Sequence, residues 1–221
     1  MERRQHILEK AAEVFSEKGY RMASVSHIVD KAGIGRGTFY IYFDSKKDIF
    51  LELIETYFEG FAEVLGKNHS YLEEAFRGGG KVLRTWRENI IRVLEYHRHN
   101  PHLARIVYRE ALGRDEDFSA RVEELEKLAR EKLRDEFRMM SERGMIRRCD
   151  LDLVTTIIMG SMISVIMEQL LSENRWDMES LADMIVEYHI RALIPEEGDV
   201  ERAVKGTLGK DRRAGMRRRG A

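Results

Sequence analysis

Two prolines and one cysteine, Pro101, Pro195 and Cys149, are all that the 221 residues hold of either type. So little proline leaves long stretches free to be helix. A lone cysteine has no partner for an internal disulfide, which fits the reducing cytoplasm. No segment of strand length alternates apolar and polar residues, so an all-α fold is expected. The opening MERRQHILEK is charged where a signal peptide needs an apolar stretch. The longest run without a charge, residues 153–167, falls short of the about 20 apolar residues of a membrane-crossing helix. Neither a membrane partner nor export from the cytoplasm is therefore expected. Enzyme signatures are missing too: no P-loop, no G-x-S-x-G and no H-E-x-x-H. Gly78-Gly79-Gly80-Lys81 has neither the spacing nor the preceding strand of a phosphate-cradling loop. No catalytic residue and no cofactor are expected.

What the chain does contain is charge and helical periodicity. Charged residues make up 35% and hydrophobic ones 43%, and the net charge is −1. That near-balance hides an uneven distribution. Residues 1–50 carry nine Lys/Arg against seven Asp/Glu, residues 51–195 carry 21 against 27, and residues 196–221 carry eight against five. Basic-leaning ends on an acidic middle suit a nucleic-acid-binding end attached to a different kind of body.

Ile7, Leu8, Ala11, Ala12, Val14 and Phe15 fall on one helical stripe that Gly19 should end. A second helix is expected from Ser24 to Ala32, stopping at Gly33, and a third over about 36–42. Ser45-Lys46-Lys47-Asp48 is close to a capping box and should open a fourth through Leu65, with a short turn at 70–76. Further helices are expected at about 81–99, 101–112, 116–142, 151–172 and 178–193, the last stopped by Pro195. Asp115, Glu116 and Asp117 place negative charge where a helix N-terminus favours it.

The stretch GIGRGTFYIYF, residues 33–43, sets three glycines among aromatics with one arginine and one threonine. Two short helices joined at a glycine, the second starting three residues later, outline a helix-turn-helix, whose second helix enters the DNA major groove. Gly33 allows the turn, Gly35 begins the recognition helix, and Gly37 lets it approach the phosphate backbone. Arg36 can fork onto guanine or phosphate, and Thr38 offers a hydroxyl and a methyl to a base edge. Tyr40 and Tyr42 present phenols to phosphate, Phe39 and Phe43 face back into the domain, and Lys46 can meet a phosphate beyond the groove.

At these residues the chain resembles the N-terminal domain of TetR-type (AcrR-like) bacterial transcriptional repressors. AEVFSEKGY, the approach from Ile28 through Ala32 to Gly33 and Ile34, GTFYIYF, and Ser45-Lys46 carry the likeness over about the first 50 residues. Gly35 departs from the usual serine or threonine cap, Val29 from alanine, and Asp44 from proline or lysine. The resemblance implies DNA contacts at Ser24, Ser26, Arg36, Gly37, Thr38, Tyr40, Ile41, Tyr42 and Lys46, with Gly35 opening the contacting helix. It implies a DNA-binding domain over 1–47 and a ligand-binding and dimerisation domain over 48–195; the basic segment 196–221, ending GKDRRAGMRRRGA, has few apolar residues and is expected to be a flexible tail. It also implies a homodimer through the helices at 151–172 and 178–193, a palindromic double-stranded operator, and a small-molecule effector that releases it. A ligand-independent DNA binder is the alternative.

The segment LDLVTTIIMGSMISVIMEQLL, residues 151–171, is apolar nearly all round and must be covered on several sides. Leu181, Met184, Ile185, Tyr188, Ala192 and Leu193 give the next helix an apolar stripe. Trp86, Ile90, Ile106, Tyr108, Phe137, Met162 and Ile166 are candidates to line an apolar effector site, although such residues are more often plain core. Glu95, His97, His99 and His102 resemble a metal cluster only on paper. His97 and His99 do not share a helix face, so no metal is expected and exposed histidines are.

Overall fold

The computed structural model describes residues 2–79, 81–110, 116–171 and 176–194. The tail expected over 196–221, the end of the helix expected to 112, Asp115 and Pro195 lie outside them. Among the described residues there are nine helices and no strand. They are α1 (Glu2–Met22), α2 (Val25–Ala32), α3 (Arg36–Tyr42), α4 (Lys46–Arg77), α5 (Val82–His99), α6 (Pro101–Glu110), α7 (Glu116–Glu142), α8 (Leu151–Leu171) and α9 (Met178–Leu193).

The chain forms two compact units. The first comprises Met1–Phe61 and His99–Leu125, the second Ala62–Arg98 and Glu126–Ala221, so α4 and α7 each contribute to both. In the first unit α1 packs on α2 and α6, and α2 on α3. Its core is Ile7, Ala11, Val14 and Phe15 of α1, Ile28 of α2, Phe39 of α3 and Ile49, Phe50 and Tyr57 of α4. Phe15 meets Phe50 edge-on at 5.2 Å, and Tyr20 lies 4.3 Å from Phe50. In the second unit α4 and α5 are tied by reciprocal amides. Asn68 Nδ2 donates to Asn89 O at 3.0 Å, and Asn89 Nδ2 donates to Asn68 O at 2.9 Å. Both asparagines are buried, so these bonds offset the cost of removing their amides from water.

Several sequence expectations change. Gly19 breaks α1 with φ 76 and ψ 158, but the chain recovers one more turn to Met22 instead of stopping. α4 runs past Leu65 to Arg77 and absorbs the separate turn expected at 70–76. Gly66 costs it only about 1 kcal/mol, and burial of Asn68 and Leu72 carries the helix onward. His97 is buried, not exposed. Its Nδ1 lies 2.7 Å from Val93 O, and burial drives its pKa down to about 4. His99 and His102 are exposed. Among the described residues no three His, Cys, Asp or Glu side chains gather in a metal-holding group.

α8 exceeds the charge-free run read from the sequence. Leu151–Leu170 is long and apolar enough to cross a membrane by length and composition, because the end charges Asp152 and Glu168 do not offset its apolar middle. Leu153, Ile157, Gly160, Ser164 and Glu168 are exposed along one face, while Thr155, Ile158, Ile166 and Leu170 are buried on the other. The stripe expected on α9 also divides. Leu181, Ile185 and Leu193 turn inward with Val186, His189 and Ile190, whereas Met184, Tyr188 and Ala192 are exposed.

Candidate nucleic-acid interface

Local rules build the α2–α3 pair. Ser24, in extended backbone, caps α2: its hydroxyl accepts from His27 N at 3.3 Å, and its own N–H donates to His27 Nδ1 at 3.2 Å. His27 thus fills the place that Glu or Gln takes in an ordinary capping box. Gly33 is left-handed, φ 64 and ψ 36. Its N–H reaches Asp30 O at 3.3 Å while Ile34 N–H reaches Val29 O at 3.1 Å, which is the Schellman ending. Gly35 then opens α3 in extended backbone without a side-chain cap. A Cβ there would meet Thr38 Oγ1 at 3.9 Å, ordinary contact, so sterics do not demand glycine.

α3 is anchored through Phe39 and Phe43, both fully buried with ring centroids 5.7 Å apart. Anchoring them turns Arg36, Gly37, Tyr40 and Ile41 outward. Ile41 is 76% exposed, a large apolar side chain left facing water. Thr38 and Tyr42 are half-buried at the edges of this face, and Ser26 is exposed on α2. Gly37 is informative because a Cβ there would find nothing within 4 Å. Glycine inside a helix is destabilising, and no neighbour among the described residues requires it.

Lys46 has a second occupation that its sequence position concealed. Its ammonium donates to Tyr20 O at 2.8 Å and Ala23 O at 2.9 Å, and it lies 4.3 Å from the Tyr20 ring centroid. Two of its three N–H donors therefore cap the end of α1, where carbonyls lack helical partners. Lys46→Ala should lower the stability of the DNA-free protein by about 1–2 kcal/mol, seen as a fall in Tm. An unchanged melt would remove the capping role. Arg4 was equally hidden: it pairs with Glu52 and lays its guanidinium 4.7 Å from the Phe43 ring centroid, bracing the end of α3. No sequence signal joins residues 48 positions apart; packing does.

The apolar candidates divide between the units. Trp86, Ile90, Phe137, Met162 and Ile166 belong to the second, where Trp86 meets Phe137 edge-on at 5.9 Å. Ile106 and Tyr108 belong to the first, on α6, the helix that packs on α1. Trp86, Ile90, Ile106, Phe137 and Ile166 are buried, while Tyr108 and Met162 are half-buried.

Residues 7–53 match the family model described as bacterial regulatory proteins, tetR family. Among curated proteins, the chain is 50% identical over 54 residues to the HTH-type transcriptional regulator YdgC of Bacillus subtilis (strain 168), covering 24% of this chain and 28% of that one. It is 34% identical over 91 residues to the fatty acid metabolism regulator protein of the same organism, 41% of each chain. The chain thus spans less than half the length of these relatives. Among solved structures it resembles the ketosteroid transcriptional regulator KstR2 of Mycobacterium tuberculosis at 23% identity and a TM-score of 0.68, over 88% of this chain and 96% of that one. That likeness extends the shared fold well beyond the first 53 residues.

Proposed function

We propose, from the premise that residues 7–53 make this a tetR-type chain, that it is a ligand-responsive transcriptional regulator acting as a repressor. It would bind a palindromic operator as a homodimer and be released by a small hydrophobic or amphiphilic effector. The carrying observation is the outward face of α3, where Arg36, Gly37, Tyr40 and Ile41 stand exposed above two buried phenylalanines. An exposed isoleucine and an unsterically required glycine are costs to the free chain that a groove and a phosphate backbone would justify. Arg36 and Thr38 would meet base edges; Tyr40, Tyr42, the Ser24 and Ser26 hydroxyls and the third Lys46 donor would meet phosphate.

Two further observations support the rest. The exposed apolar faces of α8 and α9 suit a symmetric partner, and two-fold symmetry is what a palindrome with half-sites about 34–36 Å apart, or a multiple, requires. The named specialities of the similar proteins, fatty acid metabolism and ketosteroids, favour an apolar effector. The relatives are named as regulators, not catalysts, and a cytoplasmic location follows from binding the genome. Release would be a population shift: an effector that prefers the dimer state with mismatched recognition helices lowers operator affinity, with a coupling of about 1–3 kcal/mol. In this reading α6, seated on α1, carries the effector signal to the DNA-binding helices.

Selection of bound sites from random duplex DNA tests the proposal. An inverted repeat should emerge, and failure to enrich any sequence would refute the reading; an operator that no small molecule releases would favour the ligand-independent alternative. Gly37→Ala gives a sharper check, because its two effects have opposite signs. Melting should show a gain of about 0.5–1 kcal/mol, while anisotropy titration on the selected operator should show weaker binding. Undiminished affinity would free Gly37 from any role at the backbone.

A further inference from the structure

His189 of α9 is only 3% exposed. Its Nε2 lies 3.4 Å from Ser161 Oγ on α8, and Ser161 Oγ donates its own proton to Ile158 O at 2.8 Å. With that proton committed, the serine oxygen can only accept, so Nε2 carries the imidazole hydrogen. Nδ1 is then left as a bare acceptor, and it is buried without a partner. Buried polar atoms in this condition are few in native proteins and call for an explanation. The surroundings are aromatic: the Trp86 ring lies 5.8 Å from His189, and Phe137 meets Trp86 edge-on at 5.9 Å. Thr155 Oγ1, farther along the buried side of α8, is likewise buried without a partner.

Charge in this unit narrows what such an acceptor could serve. Among the described residues no lysine or arginine is buried, and the one buried acid is Glu136, on the same face of α7 as Phe137 and Met140. Burial pushes its carboxyl up to about 8, which leaves it protonated at neutral pH, and it holds His189 at about 4, which leaves the ring neutral. The mostly buried cation beside Trp86, Arg87, is already held by Asp183 and Glu179 of α9, so an anionic head group would find no uncommitted buried cation to replace its water.

The geometry points to His189 Nδ1 as the specificity-determining acceptor of the effector site, selecting an uncharged, mainly apolar molecule that presents a hydroxyl hydrogen. This deepens the effector reading above and rests on it. Trp86 and Phe137 would hold the apolar body, and Ser161 acts as a positioning residue by fixing the tautomer that exposes the Nδ1 lone pair.

Three probes of one shape test this: 4-hexylphenol, 4-hexylanisole, which lacks the donor, and 4-hexylbenzoate, which is anionic. Calorimetric titration at pH 7 should find the phenol bound about tenfold more tightly than either of the others. His189→Phe should bring the phenol down to the anisole's affinity and leave the anisole within about twofold of its original value. Ser161→Ala, a smaller change, should narrow the same gap by letting the proton move to Nδ1, and circular dichroism would verify that both variants fold. A benzoate that equals the phenol, a ratio that His189→Phe leaves unchanged, or no binding of any probe would overturn the assignment. The same probes, added to the operator complex, separate this from the parent reading. If the benzoate wins and releases DNA, the regulator stands and His189 is wrong; if the phenol wins through His189 and leaves DNA affinity unaltered, the recognition stands and effector control falls.

Discussion

Under the proposed homodimer, an Ile157→Arg protein should be monomeric and should lose at least about 100-fold in affinity for a palindromic operator, while keeping weak, salt-sensitive attachment to duplex DNA. The expectation starts from α8, which is apolar nearly all round yet keeps one face exposed. Leu153 is 58% exposed and Ile157 53%, and Gly160 and Ser164 continue that face at helical spacing. On α9, Tyr188 is 66% exposed and Met184 stands out beside it. Apolar surface so arranged is stable in water when a second copy covers it, and small residues at 160 and 164 permit close helix approach. An arginine at 157 would bury an unpaired charge within the proposed contact, a loss of several kcal/mol. The large effect on DNA follows from the link between half-sites: two joined recognition helices bind far more tightly than either alone. Light scattering after size exclusion reads the assembly, and anisotropy on a palindrome and on its half-site reads the binding. A variant that stays dimeric with operator affinity intact would refute this interface. Because Ile157 is exposed within the chain, the substitution itself should leave the monomer folded, while loss of the partner should lower Tm and remove its dependence on protein concentration.

Glu136→Gln should stabilise the protein in alkali and matter little in acid. Burial raises the Glu136 carboxyl from about 4.5 to about 8, only partly countered by Lys132. Between those values the folded state keeps a proton that the unfolded state has released. Stability therefore falls as pH rises from about 4.5 through about 8, and the loss is complete above it. The amide removes that loss without emptying the site. At pH 9 the variant should exceed the parent by about 2–4 kcal/mol, shrinking toward zero at pH 4. The histidines have the opposite sign. Burial holds His97 and His189 at about 4, below the usual 6.5, so the stability they permit is lost as pH falls from about 6.5 through about 4. The parent should thus lose stability at both ends, and the variant should retain only the acid limb. Denaturant unfolding across pH 4–9 measures both; an unchanged alkaline limb in the variant would show that Glu136 is not the group responsible.

The short-range parts of this molecule were legible before any fold was known. Gly33 had to turn, and it is left-handed; α3 was expected over about 36–42 and spans Arg36–Tyr42; Phe39 and Phe43 were expected to face inward, and they are buried. Each of these is decided within a few residues, by backbone sterics or by the 3.6-residue period, so the sequence alone contains the cause. The apolar excess of α8 was equally plain, because it is a property of composition. Other features depend on which distant surfaces meet. The two carbonyls that Lys46 caps, the stacking of Arg4 on Phe43, the burial of His97, the bare Nδ1 of His189 and the division of the α9 stripe into inner and outer faces have no local signature. A polar side chain acquires its partner, its protonation state and its exposure from the elements packed around it, and only the tertiary structure brings those elements together.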